Sequence, residues 1–316
     1  MAGCGGKPRV VRPEIVFGSG GEHDGEFHMP REVGFPPDGS CLYILDRSHR
    51  VQLFTPEGRF MEMWPTPPGQ LGNPRGLDVD PEGNVYVADT HNSQVLVFSP
   101  KGELLRKWGR PGKKPGEFIS VTDIALDSRG RVWACEYGSY NDRVQCFDPS
   151  GRLLLTVGTF GTGPGEFSRP QGIAVDRADR VYVADAVNHR IQVLTPEGKV
   201  ERIIGEVGSA PGKLRYPYDV AFDRSGRLYV AEFGNCRVSV FTPEGRFLTA
   251  FGRPGHGPGE FSHPWGVNVA RNGEVYVADT MNYRIQKFAP VLGFQPPRHR
   301  DTEANVGRRH VGSPRS

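Results

Sequence analysis

Short runs in which apolar residues occupy both faces of an extended chain recur along the sequence. In VYVAD (181–185), Val181 and Val183 fall on one side, and Tyr182 and Ala184 on the other. A sheet built from such segments must be covered on both faces. The pattern returns as NVYVAD (84–89), RVWACE (131–136), RLYVAE (227–232) and EVYVAD (274–279). A first strand precedes each: GLDVD (76–80), DIALD (123–127), GIAVD (172–176), DVAFD (219–223) or GVNVA (266–270). A third strand follows, as in RVQLF (50–54), QVLVF (94–98), RVQCF (143–147), RIQVL (190–194), RVSVF (237–241) and RIQKF (284–288).

The segments between strands are turn chemistry. DPEG (80–83), DSRG (127–130), DRAD (176–179) and DRSG (223–226) join first to second strands. TPEG (55–58), SPKG (99–102), DPSG (148–151), TPEG (195–198) and TPEG (242–245) join the third to a fourth, such as FLTAFG (247–252). Asp in these segments bonds onward amides, and Gly supplies positive φ, so each is a tight hairpin. These hairpins are short and alike, and the face they form is expected to be bland.

An F/L-x-x-P box opens each unit, at Phe27, Leu71, Phe118, Phe167, Leu214 and Phe261, with Val121 replacing the proline in the third copy. The copies lie 44, 47, 49, 47 and 47 residues apart. Four short strands at this period specify a β-propeller, and six copies specify six blades. The expected fold class is therefore all-β, with four-stranded antiparallel blades. The last copy ends at Ala289-Pro290 without a fourth strand, while Ile15-Val16-Phe17-Gly18 matches Thr249-Ala250-Phe251-Gly252. The N-terminal strand is therefore expected to close the last blade. This gives an N-terminal segment 1–12, a ring 13–290 and a Pro/Arg-rich tail 291–316 that is expected to be disordered.

Composition alters this picture little. Glycine (42) and proline (28) are abundant, but 37% apolar and 10% aromatic residues exclude a collagen-like or disordered chain. No window reaches the roughly 20 consecutive apolar residues of a membrane-spanning helix. The formal charge of +3 belongs to the tail, where Arg298, Arg300, Arg308, Arg309 and Arg315 face only Asp301 and Glu303. The rest of the chain balances 34 basic against 34 acidic side chains, a poor footprint for nucleic-acid binding. The five cysteines show no C-x-x-C spacing. The register sets Trp133, not Cys135, opposite Cys146, so no disulfide is expected. Cys4 in MAGCGG looks like the end of a lipoprotein cleavage box, without the preceding apolar segment. Either it is lipidated and the protein sits in the cell envelope, or it is an ordinary thiol in a cytoplasmic protein.

GPGEF-x-x-P-x-GIAVD, then VYVAD, then N-x-RIQVL-x-P-x-G resembles the NHL repeat, most closely in the fourth and sixth copies and loosely in the third. NHL repeats occur in bacterial sensor domains, in the C-terminal domains of tripartite-motif proteins and in the peptide α-amidating lyase. The resemblance implies a six-bladed ring and fixes no activity. The lyase places zinc histidines directly after the box proline, where this chain has none, so that activity is not carried over.

Candidate chemistry sits where the copies differ. After the box proline stand Arg31, Arg75, Gln171, Tyr218 and Trp265, with Thr122 at that place in the third copy. These six are expected to ring the mouth of the central channel and to suit an anionic or hydrogen-bonding ligand stacked on aromatic rings. Asp46, Asp89, Glu136, Asp185, Glu232 and Asp279 end every second strand, and Arg50, Arg143, Arg190, Arg237 and Arg284 begin third strands. Their recurrence points to structural ion pairs. His49, His91 and His189 stand too far off the axis to share a zinc ion, while His28 and His263 precede the box proline and are expected to aim elsewhere.

The leading expectation is a non-catalytic, monomeric NHL propeller without a cofactor, binding a peptide, protein or small polar ligand at the variable face. The alternatives are a lyase or lactonase-like enzyme using Ca²⁺ or Zn²⁺ in the channel, and an RNA-binding NHL domain. Membrane contact is expected only through a lipidated Cys4.

Overall fold

The computed structural model describes residues 11–67 and 73–291. Cys4, the box residue Leu71 and the arginines of the tail lie outside them. Six four-stranded antiparallel sheets form the blades of a propeller. Blade 4 is representative: Pro170–Val175 is innermost, followed outward by Val181–Asp185, Arg190–Leu194 and Val200–Ile204. Blade 6 combines Val267–Val269, Val275–Asp279 and Arg284–Phe288 with the N-terminal strand Ile15–Phe17. Ile15 pairs with Lys287 and Phe17 with Ile285, so the ring closes as the sequence indicated. The register also holds at the cysteines, where Trp133 faces Cys146 and Cys135 faces Val144. Both thiols are buried and free. No described helix is long and apolar enough to cross a membrane.

Because every second strand is apolar on both faces, each blade shares a core with each neighbour. Between blades 3 and 4, for example, Trp133, Cys135 and Val144 pack against Val181, Val183 and Leu194. Phe167, the box aromatic, is fully buried in that seam, a burial worth about 2–3 kcal/mol.

The GPGEF words form a clip rather than a site. Asp185 accepts from the Ser168 amide at 2.7 Å and pairs with Arg190 Nε at 2.8 Å. The other guanidinium nitrogens of Arg190 donate to the carbonyls of Thr162, Gly163 and Glu166 at 2.7–2.9 Å. Gln192 donates to the Glu166 carbonyl and accepts from the Gly165 amide. The pairing recurs as Arg143–Glu136, Arg237–Glu232 and Arg284–Asp279 at 2.6–2.7 Å, and more loosely as Arg50–Asp46 at 3.5 Å. Blade 2 has Gln94 in place of the arginine, at 2.9 Å from Asp89. These carboxylates are fully buried, and they hold each loop to its blade.

Candidate binding site at the channel mouth

The residue after the box proline lies at or near the start of each inner strand, which places that side chain at one end of the central channel. Four of the six candidate residues converge there. The Arg31 guanidinium lies 4.8 Å from the centre of the Trp265 ring, and that of Arg75 lies 5.6 Å from it. Tyr218 meets the Trp265 ring edge-to-face at 4.9 Å. Thr122 and Gln171 stand apart from this contact network. The Thr122 hydroxyl donates to the Pro170 carbonyl at 2.9 Å, tying blade 3 to blade 4. Gln171 is buried (3% exposed), and its Nε2 has no hydrogen-bond partner among the described residues.

Three further residues complete the mouth. Tyr137 and Phe233 each follow the second-strand acid, and Arg169 precedes the box proline of blade 4. Arg75 donates to the Tyr137 hydroxyl at 3.2 Å, and the Arg169 guanidinium sits 4.9 Å over the same ring. Phe233 stacks on Tyr218 with ring centres 4.3 Å apart. His263 packs on Phe233 at 4.6 Å, so this histidine joins the edge of the aromatic cluster instead of pointing away from it. The signal for these residues was the same as for the six, variation at a repeat position. What the sequence does not give is which odd residues from different blades meet. Arg169 has φ 51°, and Met29, Tyr216 and His263 are likewise left-handed before their prolines. This kink swings the preceding side chain onto the mouth face, a direction that repeat spacing does not encode.

The electrostatics of the mouth are one-sided. Arg31 is 3% exposed, and the one hydrogen bond of its guanidinium among the described residues is donated to Asn73 Oδ1, at 2.6 Å. Burial, reinforced by the charges of Arg75 and Arg47, pulls its pKa down to about 9. The Nε atoms of both Arg31 and Arg75 are buried without a partner among the described residues. Burial raises the Tyr137 phenol, but Arg75 and Arg169 outweigh it and hold the group below its ordinary value. Burial raises the Tyr218 phenol. None of the three mouth arginines forms an ion pair among the described residues. The mouth therefore offers donors, positive charge and ring faces, with Asp46 acting on Arg31 through its charge but no carboxylate in ion-pair contact with the three arginines among the described residues.

Below the mouth the channel reverses sign. Glu32, Asp123 and Asp219 come from the inner strands of blades 1, 3 and 5, with carboxylate oxygens within 4.8 Å of one another. Blades 2, 4 and 6 carry glycine at that position (Gly76, Gly172 and Gly266), and the alternation has a steric cause. A Cβ at Gly76 would sit 2.6 Å from the Asp123 Cα, and one at Gly172 would sit 2.6 Å from the Tyr218 carbonyl and 2.7 Å from the Asp219 Cα. Asp123 and Asp219 each lean across to accept the next blade's amide, from Ile173 at 2.8 Å and Val267 at 2.7 Å. Burial, then the charge of Asp219, drives Glu32 and Asp123 well up, and burial lifts Asp219 itself to about 7. All-oxygen ligands of this kind suit a hard cation such as Ca²⁺ better than zinc, whose sites usually include histidine or cysteine, and neither belongs to the group. His49, His91 and His189 form no such cluster among the described residues. The ring of His189 instead accepts from the Tyr216 amide through Nδ1, at 3.0 Å.

The sequence signature of the NHL repeat matches residues 71–98, 167–194, 214–241 and 261–288. No curated protein matches the chain by sequence. Among solved structures, a streptogramin B lyase superposes with TM-score 0.60 at 14% identity, over 85% of this chain and 95% of its own. The virginiamycin B lyase of Staphylococcus aureus gives 0.59 at 15%, over 88% and 95%. A Bacteroides thetaiotaomicron protein of unknown function gives 0.67 at 16%, over 88% and 75%. At such identities the likeness is one of fold.

Proposed function

Because the chain is an NHL-repeat β-propeller, a scaffold that hosts unrelated activities, we propose its function from the mouth alone: a binding module for a small ligand or peptide that presents an anionic group beside a planar one. The observation that carries this reading is the buried Arg31 and the half-buried Arg75 on the Trp265 ring, neither in an ion pair among the described residues, flanked by the exposed Arg169 on Tyr137. A buried cation without a counter-charge costs stability, and a bound carboxylate or phosphate would supply that counter-charge through bidentate hydrogen bonds. Gln171 Nε2 and the two arginine Nε atoms are donors awaiting acceptors. The stacked Tyr218–Phe233 pair and Trp265 offer ring faces to the planar part.

Titration calorimetry with phenyl phosphate, and with benzoylglycine as its carboxylate counterpart, tests the reading. Binding should vanish in the Arg75→Ala/Tyr218→Ala/Trp265→Ala variant with the fold intact by circular dichroism. Equal affinity in that variant would refute the site.

A second reading rests on one observation, the carboxylate group of Glu32, Asp123 and Asp219. A divalent cation there would supply Lewis-acid chemistry to a lyase or lactonase reaction. Metal analysis of purified protein separates the readings: stoichiometric Ca²⁺ favours an enzyme, and a folded, metal-free ring favours the binding module.

A further inference from the structure

The hairpin face, expected to be bland, holds a pocket of about 560 Å³ on blades 4, 5 and 6, floored by Val175, Phe222 and Val269. It adjoins an open bowl of about 800 Å³ that shares Val175, Arg177 and Arg271. The second residue of the hairpin after each inner strand is Pro37, Pro81, Ser128, Arg177, Arg224 and Arg271 in chain order. Three consecutive blades thus place arginine at one register position where the other three have none, and all three arginines line this pocket. The principle that applies to the mouth applies equally here: framework residues repeat in every blade, and this position does not.

The charge does not cancel locally. The two carboxylates of the pocket are consumed within their own hairpins, Asp176 by Arg180 at 2.7 Å and Asp223 by Arg227. Arg177, Arg224 and Arg271 form no ion pair among the described residues. Asp38 of blade 1 feels the charge of Arg271 without pairing with it and accepts instead from the Ser40 amide.

We propose that this pocket is a second ligand site, distinct from the mouth, for a small organic polyanion carrying two or more phosphate or carboxylate groups. Three guanidinium forks around one pocket match several anionic groups better than one, because a single anion would leave cations facing each other. The apolar floor accommodates the carbon frame between them, and the volume lies within the usual range for such sites.

Calorimetric titration of the full chain with inorganic tripolyphosphate, and separately with citrate, tests the proposal and distinguishes the phosphate from the carboxylate source. The native protein should bind at least one of them, with affinity falling steeply as salt rises. Arg177→Ala/Arg224→Ala/Arg271→Ala should weaken binding at least tenfold. Because these side chains are exposed, the variant should keep the native melting temperature. The mouth variant Arg75→Ala/Tyr218→Ala/Trp265→Ala should retain this binding event. Failure of the native protein to bind either probe, or equal affinity in the triple-arginine variant, would overturn the proposal. Loss of all binding in the mouth variant alone would do the same.

Discussion

Arg190 and Arg31 stand at the same end of the ring, yet their surroundings differ in kind. All three nitrogens of Arg190 are spent on Asp185 and three loop carbonyls. Arg31 is more deeply buried, with one amide partner and an aromatic ring in place of a carboxylate. The first arrangement recurs from blade to blade and has the energetics of a fastening. The second is confined to the mouth and leaves the cation without an ion-pair partner among the described residues. Identical side chains thus serve construction where they repeat and remain available for recognition where they do not.

The sharpest way to break this contrast is to remove each arginine in turn. Arg190→Ala strands the buried carboxylate of Asp185 and should cost about 3–5 kcal/mol by urea unfolding. Arg31→Met removes an uncompensated cation and should instead stabilise the ring by about 0.5–2 kcal/mol while weakening ligand binding, the expected trade between stability and function. Destabilisation of similar size in both variants would show that Arg31 is a fastening too.

The carboxylate belt predicts the next largest effect. Folded-state pKa values raised above the unfolded ones mean that the native ring holds more protons than the unfolded chain. Stability contributed by these groups is therefore present near pH 4 and lost as the pH rises to about 7. For Asp219, raised from 3.8 to about 7, this amounts to about 4 kcal/mol. Asp78, raised to about 6 by burial, acts in the same direction. Denaturation midpoints measured between pH 4.5 and 8 in EDTA should fall with pH. Saturating Ca²⁺ flattening that slope would favour the enzymatic reading.

A smaller effect tests the alternation that packs the belt. Gly172→Ala sets a methyl group against the Tyr218 carbonyl and the Asp219 Cα, and should cost about 1–3 kcal/mol of stability in thermal unfolding. Arg75→Ala, by contrast, should move stability by less than about 0.5 kcal/mol.

Much of this architecture was legible in the sequence, because blade count, ring closure by Ile15–Phe17 and the Asp185-type clips all follow from local repetition. The four converging mouth residues could be nominated for the same reason. Tyr137, Phe233 and Arg169 carry the same signal, but that they meet the others is not legible, since it depends on loop kinks and on the angle between blades. The acid–glycine alternation of Glu32, Gly76, Asp123, Gly172, Asp219 and Gly266 is visible in the letters, yet it acquires meaning only once the inner strands are wrapped about one axis. On the hairpin face the turns share a shape, while Arg177, Arg224 and Arg271 set the charge of three blades apart from the other three.

The most direct measurement is a crystal structure of the protein soaked in dilute selenate, with selenium located by its anomalous scattering. An oxyanion within hydrogen-bond reach of Arg31 and Arg75, beside the Trp265 ring, is the predicted result. A mouth empty of selenium, in a crystal where selenate binds elsewhere on the ring, would contradict the account.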